Sequence, residues 1–173
     1  MVAANVTTIA DAVGIDDEVW QQSFATNVLG PLHVARAMQA PLNAVKGGAI
    51  VLVGTQAAYD PKPGMAAYGV SKIGAQLGLM HYLARELGSS RIRVNCVETS
   101  WMLGPLVQGY MEMMANAQGV AASDIIAGIA KDWPIPDMPL DEDVAESIVF
   151  LLSDRARMIT GQTLRVNAGE YLS

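Results

Sequence analysis

The chain predicts an α/β fold, a parallel and doubly wound sheet covered by helices on both faces. Its strand-like runs are apolar throughout instead of alternating, the pattern of strands buried on two sides. Long stretches with helical periodicity separate those runs, which is the spacing of crossover connections. Glycine, proline and Asn/Asp/Ser clusters fall at the junctions.

Each element follows from local residues. From Asp16 to about Leu42, Val19, Trp20, Phe24, Val28, Leu32, Ala35 and Met38 recur at helical spacing. Asp16 or Asp17 is the expected N-cap, with Glu18 in the first turn. Pro31 interrupts this run and should kink it or shift its register. Gly47-Gly48 then opens the strand Ala49-Ile50-Val51-Leu52-Val53-Gly54-Thr55. Asp60-Pro61-Lys62-Pro63-Gly64 is turn chemistry, and a second long helix is predicted from about Ala66 to Leu87, ended by Gly88-Ser89-Ser90. A strand follows at Ile92–Val97. Helices are expected at Leu106–Ala117 and Ser123–Lys131, split by Gly119, and at Val144–Leu152, capped by Asp141 or Asp143. Thr163–Asn167 reads as the last strand, and Met1–Ala4 as the stub of another.

At 173 residues the length suits one domain with a real core. Hydrophobic residues make up 51% and the mean hydropathy is +0.27, which argues against disorder. Eleven basic against 17 acidic residues give a net charge of −6. That balance is wrong for neutralising nucleic-acid phosphates or for a polybasic membrane anchor. No apolar run approaches the ~20 residues of a membrane span. Met1–Asn5 lacks the basic and apolar regions of a signal peptide, so a cytoplasmic location is expected. The one cysteine, Cys96, lies in a strand and reads as a buried, inert thiol. His33 and His81 lack ligand-spaced partners, so no metal site is expected.

Chemistry concentrates in Tyr68-Gly69-Val70-Ser71-Lys72. One helical turn sets Tyr68 and Lys72 side by side, and a nearby ammonium stabilises a phenolate. Thr55, at the end of a strand thirteen residues earlier, adds a hydroxyl. A Tyr-Lys pair beside a hydroxyl is a plausible proton-transfer device for a carbonyl or an alcohol.

Further matches stand in order around this pair. They are Asp17-Glu18-Val19-Trp20 with Asn27, the strand Ile50–Thr55, Ile92-Arg93-Val94-Asn95, and Ile159-Thr160-Gly161-Gln162-Thr163-Leu164. Together with Tyr68-x-x-x-Lys72 they resemble the short-chain dehydrogenase/reductase family, from about Val2 to the last residue. The ending Val166–Tyr171 and the long Trp101–Pro134 segment are most similar to actinobacterial members. The resemblance implies a three-layer, doubly wound (Rossmann-like) parallel sheet, truncated at its N-terminal half. No Gly-x-x-x-Gly-x-Gly or Gly-x-Gly-x-x-Gly turn occurs, and Val2-Ala3-Ala4-Asn5 stands where the family has Asn-Asn-Ala-Gly. The chain also departs from the pattern in carrying Thr55 for the catalytic serine, Thr99-Ser100 for Pro-Gly, and Gly104 for a threonine.

By resemblance the chain is an NAD(P)-dependent oxidoreductase interconverting an alcohol and a ketone or aldehyde by hydride transfer, with NAD or NADP as cofactor. Tyr68 is the implied general acid/base, Lys72 lowers its pKa and bonds the cofactor ribose, and Thr55 holds the substrate oxygen. Asn27 either holds a water that relays protons to Lys72 or caps the helix ahead of Pro31. Tyr68, Lys72, Thr99 and Asn5 are the implied cofactor contacts. Trp101, Met102 and Leu103, with Met111, Met113 and Met114, either line an apolar substrate pocket under a lid at about 101–139 or are core. Helices 17–38 and 66–87 resemble the family's subunit interface, with Gly74 and Gly78 allowing close packing, and imply a homo-oligomer. A different reading is a non-catalytic subunit that pairs with a full-length relative, since the absent glycine turn implies a weak grip on the dinucleotide.

Overall fold

The apolar runs become strands and the periodic runs become helices, in the order the sequence predicts. The computed structural model describes residues 11–172, so Asn5 and the expected Met1–Ala4 strand stub lie outside the described residues. β1 (Gly48–Thr55), β2 (Ile92–Thr99) and β3 (Thr163–Val166) form one parallel sheet in that order. β2 runs two residues beyond the expected Val97, pairing Thr99 with Thr55 on one side and Val166 on the other. Threonine supplies the backbone N–H that proline lacks, so the ladder continues to the site.

The pleat divides the core into two. Ile50, Leu52, Val94 and Cys96 face α2 (Gly30–Ala44) and α4 (Met80–Leu87), packing on Ala35, Met80, Leu83 and Leu87. Val51 and Val97 face α7 (Asp141–Leu152), packing on Val144, Ile148 and Leu151. This alternation between two covered faces is why the strands read as apolar runs. Arg93 fastens the second layer, donating from Nη1 to the Leu151 carbonyl (2.6 Å) and from Nη2 to that of Ser153 (3.1 Å) at the end of α7.

Both long helices contain a π-turn that periodicity alone does not show. α1 (Asp17–Phe24) passes through Ala25–Leu29 into α2, and α3 (Ala66–Ile73) passes through Gly74–Leu79 into α4. The first turn is the register shift expected at Pro31, which begins α2 where its missing N–H costs nothing. Asp16 sits at the N-cap position of α1 without a side-chain cap bond. For α7 the cap residue is Leu140, and Asp143 Oδ2 accepts its N–H at 2.8 Å, so Asp143 works from inside the first turn. Gly74 meets Val28 and Phe24, whereas Gly78 has open space around it within the chain.

α5 (Pro105–Gln118) and α6 (Ala122–Ala130) form the hairpin between β2 and α7, turned by Gly119 at φ 69°. A left-handed C-cap favours glycine, and the site is open, so Gly119→Ala should cost about 1 kcal/mol through backbone strain alone. Chemical denaturation checks this. Among the described residues no helix is long and apolar enough to cross a membrane, and no three His, Cys, Asp or Glu gather as a metal site.

Candidate active site

The C-terminal end of β1 delivers Thr55, and the first turn of α3 delivers Tyr68 beside it. Gly69 makes that approach possible, because a Cβ there would stand 3.0 Å from the Ala57 carbonyl oxygen. The Thr55 hydroxyl accepts the Ala57 N–H at 3.3 Å and bonds the Tyr68 phenol. Burial pushes the phenol above its ordinary 10.0, and the hydrogen bond from Thr55 pulls the other way.

Lys72 lies one turn further on, buried, with Nζ donating to the Val53 carbonyl at 2.6 Å. Burial lowers its pKa below 10.5, and the neighbouring Cys96 thiol opposes that shift. The sequence reading has Lys72 pulling the phenol down. Here the phenol is raised, because its own burial dominates and the ammonium is turned to a β1 carbonyl. An amine with a lowered folded pKa binds fewer protons folded than unfolded, so it makes stability rise with pH below 10.5. Denaturation of wild type and Lys72→Met across alkaline pH should therefore show their difference growing in favour of the wild type.

Asn27 occupies the π-turn of the first long helix and donates from Nδ2 to Ser71 Oγ at 2.9 Å. Ser71 donates in turn to the Tyr68 carbonyl at 3.0 Å. Asn27 thus reaches the Tyr68–Lys72 turn through Ser71. π-turns cost regular helix bonds and recur at functional sites. Cys96 is buried, its thiol pushed up to about 12 chiefly by burial, as an inert core residue should be. Asn95 holds a loop, donating to the Ile159 carbonyl and accepting from the Gln162 N–H.

The proposed substrate residues divide. Met102, with Thr99 and Ser100, borders a cavity of about 220 Å³ next to Gly104. Trp101 instead stacks on Tyr110 at 6.2 Å, and the Leu103 N–H bonds the Pro139 carbonyl. Met111 is fully buried core, whereas Met113 is exposed. A side chain at position 104 would require the Asp141 carboxylate to move aside.

A polar cluster beneath Thr55 escaped the sequence reading. Gln76, on the second π-turn, accepts the Thr55 N–H at 2.8 Å and donates to the Thr55 carbonyl at 3.2 Å and to Glu98 at 3.4 Å. Glu98 Oε1 accepts from Arg165 Nε at 3.0 Å. The Arg165 guanidinium lies over the rings of Tyr59 (4.7 Å) and Tyr171 (5.3 Å), which stack on one another. Asn167 donates to Gln56 Oε1 at 2.8 Å, tying β3 to the segment after Thr55. A charge inside the apolar strand Val94–Thr99 was the available signal.

Comparison with known proteins identifies the family. A family model described as enoyl-(acyl carrier protein) reductase matches residues 2–170. Dehydrogenase/reductase SDR family member 4 of Bos taurus is 33% identical over 155 residues, 90% of this chain and 52% of the relative. The 3-oxoacyl-(acyl-carrier-protein) reductase FabG of Haemophilus influenzae is 31% identical over 157 residues, 91% of this chain and 60% of the relative. L-sorbose reductase from Gluconobacter frateurii, solved with NADPH and L-sorbose, has a TM-score of 0.90 at 26% identity, covering 98% of this chain and 65% of that one. The chain thus spans about half to two thirds of the length of these relatives. With the parallel sheet, the Tyr68–Lys72 turn and these matches together, the chain belongs to the short-chain dehydrogenase/reductase family.

Proposed function

We propose that this chain carries the proton-transfer and substrate-binding side of an NAD(P)-dependent oxidoreductase acting on a small alcohol or carbonyl compound. The observation that carries the reading is the contact between the Thr55 hydroxyl and the Tyr68 phenol, with buried Lys72 one turn away. The phenol and the ammonium, which keeps N–H donors beyond the one given to Val53, fit the ribose–nicotinamide end of a dinucleotide. Bound there, the nicotinamide supplies or accepts the hydride. Thr55 holds the substrate oxygen, and Tyr68 gives its proton to that oxygen in reduction or takes it in oxidation. Asn27 and Ser71 steady the turn that carries both groups, and Asn27 is assigned to hold a water that relays protons to Lys72. Thr99 and Met102, which border the cavity at the start of α5, are assigned to the substrate side, with the α5–α6 hairpin as its lid. The deciding assay is NADH- or NADPH-dependent reduction of small ketones by a chimera that carries the dinucleotide-binding segment of L-sorbose reductase ahead of Asp11. Turnover above the unfused segment supports the reading, and none with bound cofactor sinks it.

The long helices that carry Asn27 and Lys72 also expose Phe24, Leu29, Val34, Met38, Val70 and Tyr82. A face of this kind is unusual on a monomer. The expected state is a homo-oligomer through helices 17–38 and 66–87. Light scattering at micromolar concentration checks it, and a monodisperse 18.3 kDa species would contradict it.

A further inference from the structure

We propose that Gln76 is a positioning residue for Thr55, and that Glu98 fixes the orientation in which the Gln76 amide works. The inference rests on the role given to Thr55 above. Gln76 acts on Thr55 as the peptide group of a neighbouring strand would, taking its N–H and giving an N–H to its carbonyl. Both backbone groups of one residue are thereby fixed, and with them the direction in which the Thr55 side chain leaves the strand end toward Tyr68.

Two features of the chain make room for this clamp. Gln76 sits in the π-turn Gly74–Leu79, which departs from α-helical register where its side chain must reach β1. Gly54 precedes Thr55, and a Cβ there would overlap Gln76 Oε1 and stand 2.8 Å from Cys96 Sγ. A polar side chain fully buried under an apolar sheet is costly unless satisfied, and every polar atom of Gln76 is satisfied.

Glu98 decides which way the amide faces. An ionised carboxylate only accepts, and Arg165 Nε occupies its Oε1. Its Oε2 therefore demands the amide nitrogen of Gln76, which leaves the amide oxygen for the Thr55 N–H. A flipped amide would set oxygen against carboxylate and N–H against N–H. Glu98→Gln keeps the shape and removes that rule. Its own amide must oppose a donor of Arg165 or of Gln76, whichever way it turns.

The test is an NMR comparison of the isotope-labelled chain and Glu98→Gln. In the wild type, the Gln76 side-chain amide should give two distinct, slowly exchanging proton signals with cross-peaks to Thr55. In Glu98→Gln, hydrogen exchange at the Thr55 amide should accelerate about tenfold relative to Val51 and Leu52, the scale of one weakened hydrogen bond. The Tyr68 phenol should also titrate higher, having lost the donated bond from Thr55. Unchanged Thr55 and Tyr68 signals would overturn the proposal. Uniform acceleration along β1 would do the same, marking Glu98 as a stability residue only. If the variant does not fold, the wild type decides alone, since a single, rapidly exchanging Gln76 signal contradicts the clamp. These readouts need no turnover, so a failed activity assay and a failed clamp remain distinguishable.

Discussion

Tyr68→Phe should lower turnover of the chimera by about 10²–10⁴-fold, the scale of a general acid/base. Phenylalanine keeps the ring and its packing at the start of α3 and removes only the oxygen that meets Thr55. Far-UV circular dichroism should remain that of the parent, and KM should change much less than kcat, since the lost interaction belongs to the proton in flight. Burial holds the wild-type phenol above 10.0, so it is protonated at neutral pH and ready to donate in the reductive direction. Reduction should therefore persist across neutral pH and fall only at strongly alkaline pH. A Phe variant with unchanged kcat and a parental spectrum would remove Tyr68 from the mechanism.

Arg165→Met should cost about 3–5 kcal/mol at neutral pH, because it strands a buried carboxylate. Glu98 is 1% exposed and its partner in the ion pair is Arg165, whose guanidinium also covers two tyrosine rings. Burial already holds the Glu98 carboxyl above 4.5, and Arg165 pulls it down. Without the arginine the carboxyl rises further. A carboxyl raised in the folded state binds protons better folded than unfolded, so its variant loses stability as pH climbs from 4.5 through the folded value. The deficit against wild type should be small in acid and complete above that window. Urea denaturation at several pH values measures it, and a pH-independent deficit would contradict a charge origin.

Much of this was legible from the chain. The strands announced themselves because both faces of β1 and β2 are covered, which removes polar alternation. Tyr68, Lys72 and Thr55 were legible because the i, i+4 rule and a strand end need no tertiary information. The π-turns were not, since one extra residue per turn barely disturbs an apolar stripe and both helices continue beyond it. Gln76 was hidden for that reason: in α-helical register it reads as one polar residue on an amphipathic helix. The spacing sets Lys72 one turn from Tyr68, but its bond to the Val53 carbonyl depends on how α3 lies against β1, and spacing along one helix does not report that. The Glu98–Arg165 pair joins residues 67 apart in sequence, and only the β2–β3 register, Glu98 opposite Arg165, brings them together.

Deuterium transfer tests the central claim most directly. The chimera is supplied with a small ketone and a nicotinamide cofactor deuterated at its transferable position, and the alcohol formed is read by mass spectrometry. The account predicts one deuterium on the carbinol carbon with the parent residues, and its near absence in Tyr68→Phe under the same conditions. No incorporation by a folded, cofactor-binding parent, or equal incorporation by both proteins, would contradict it.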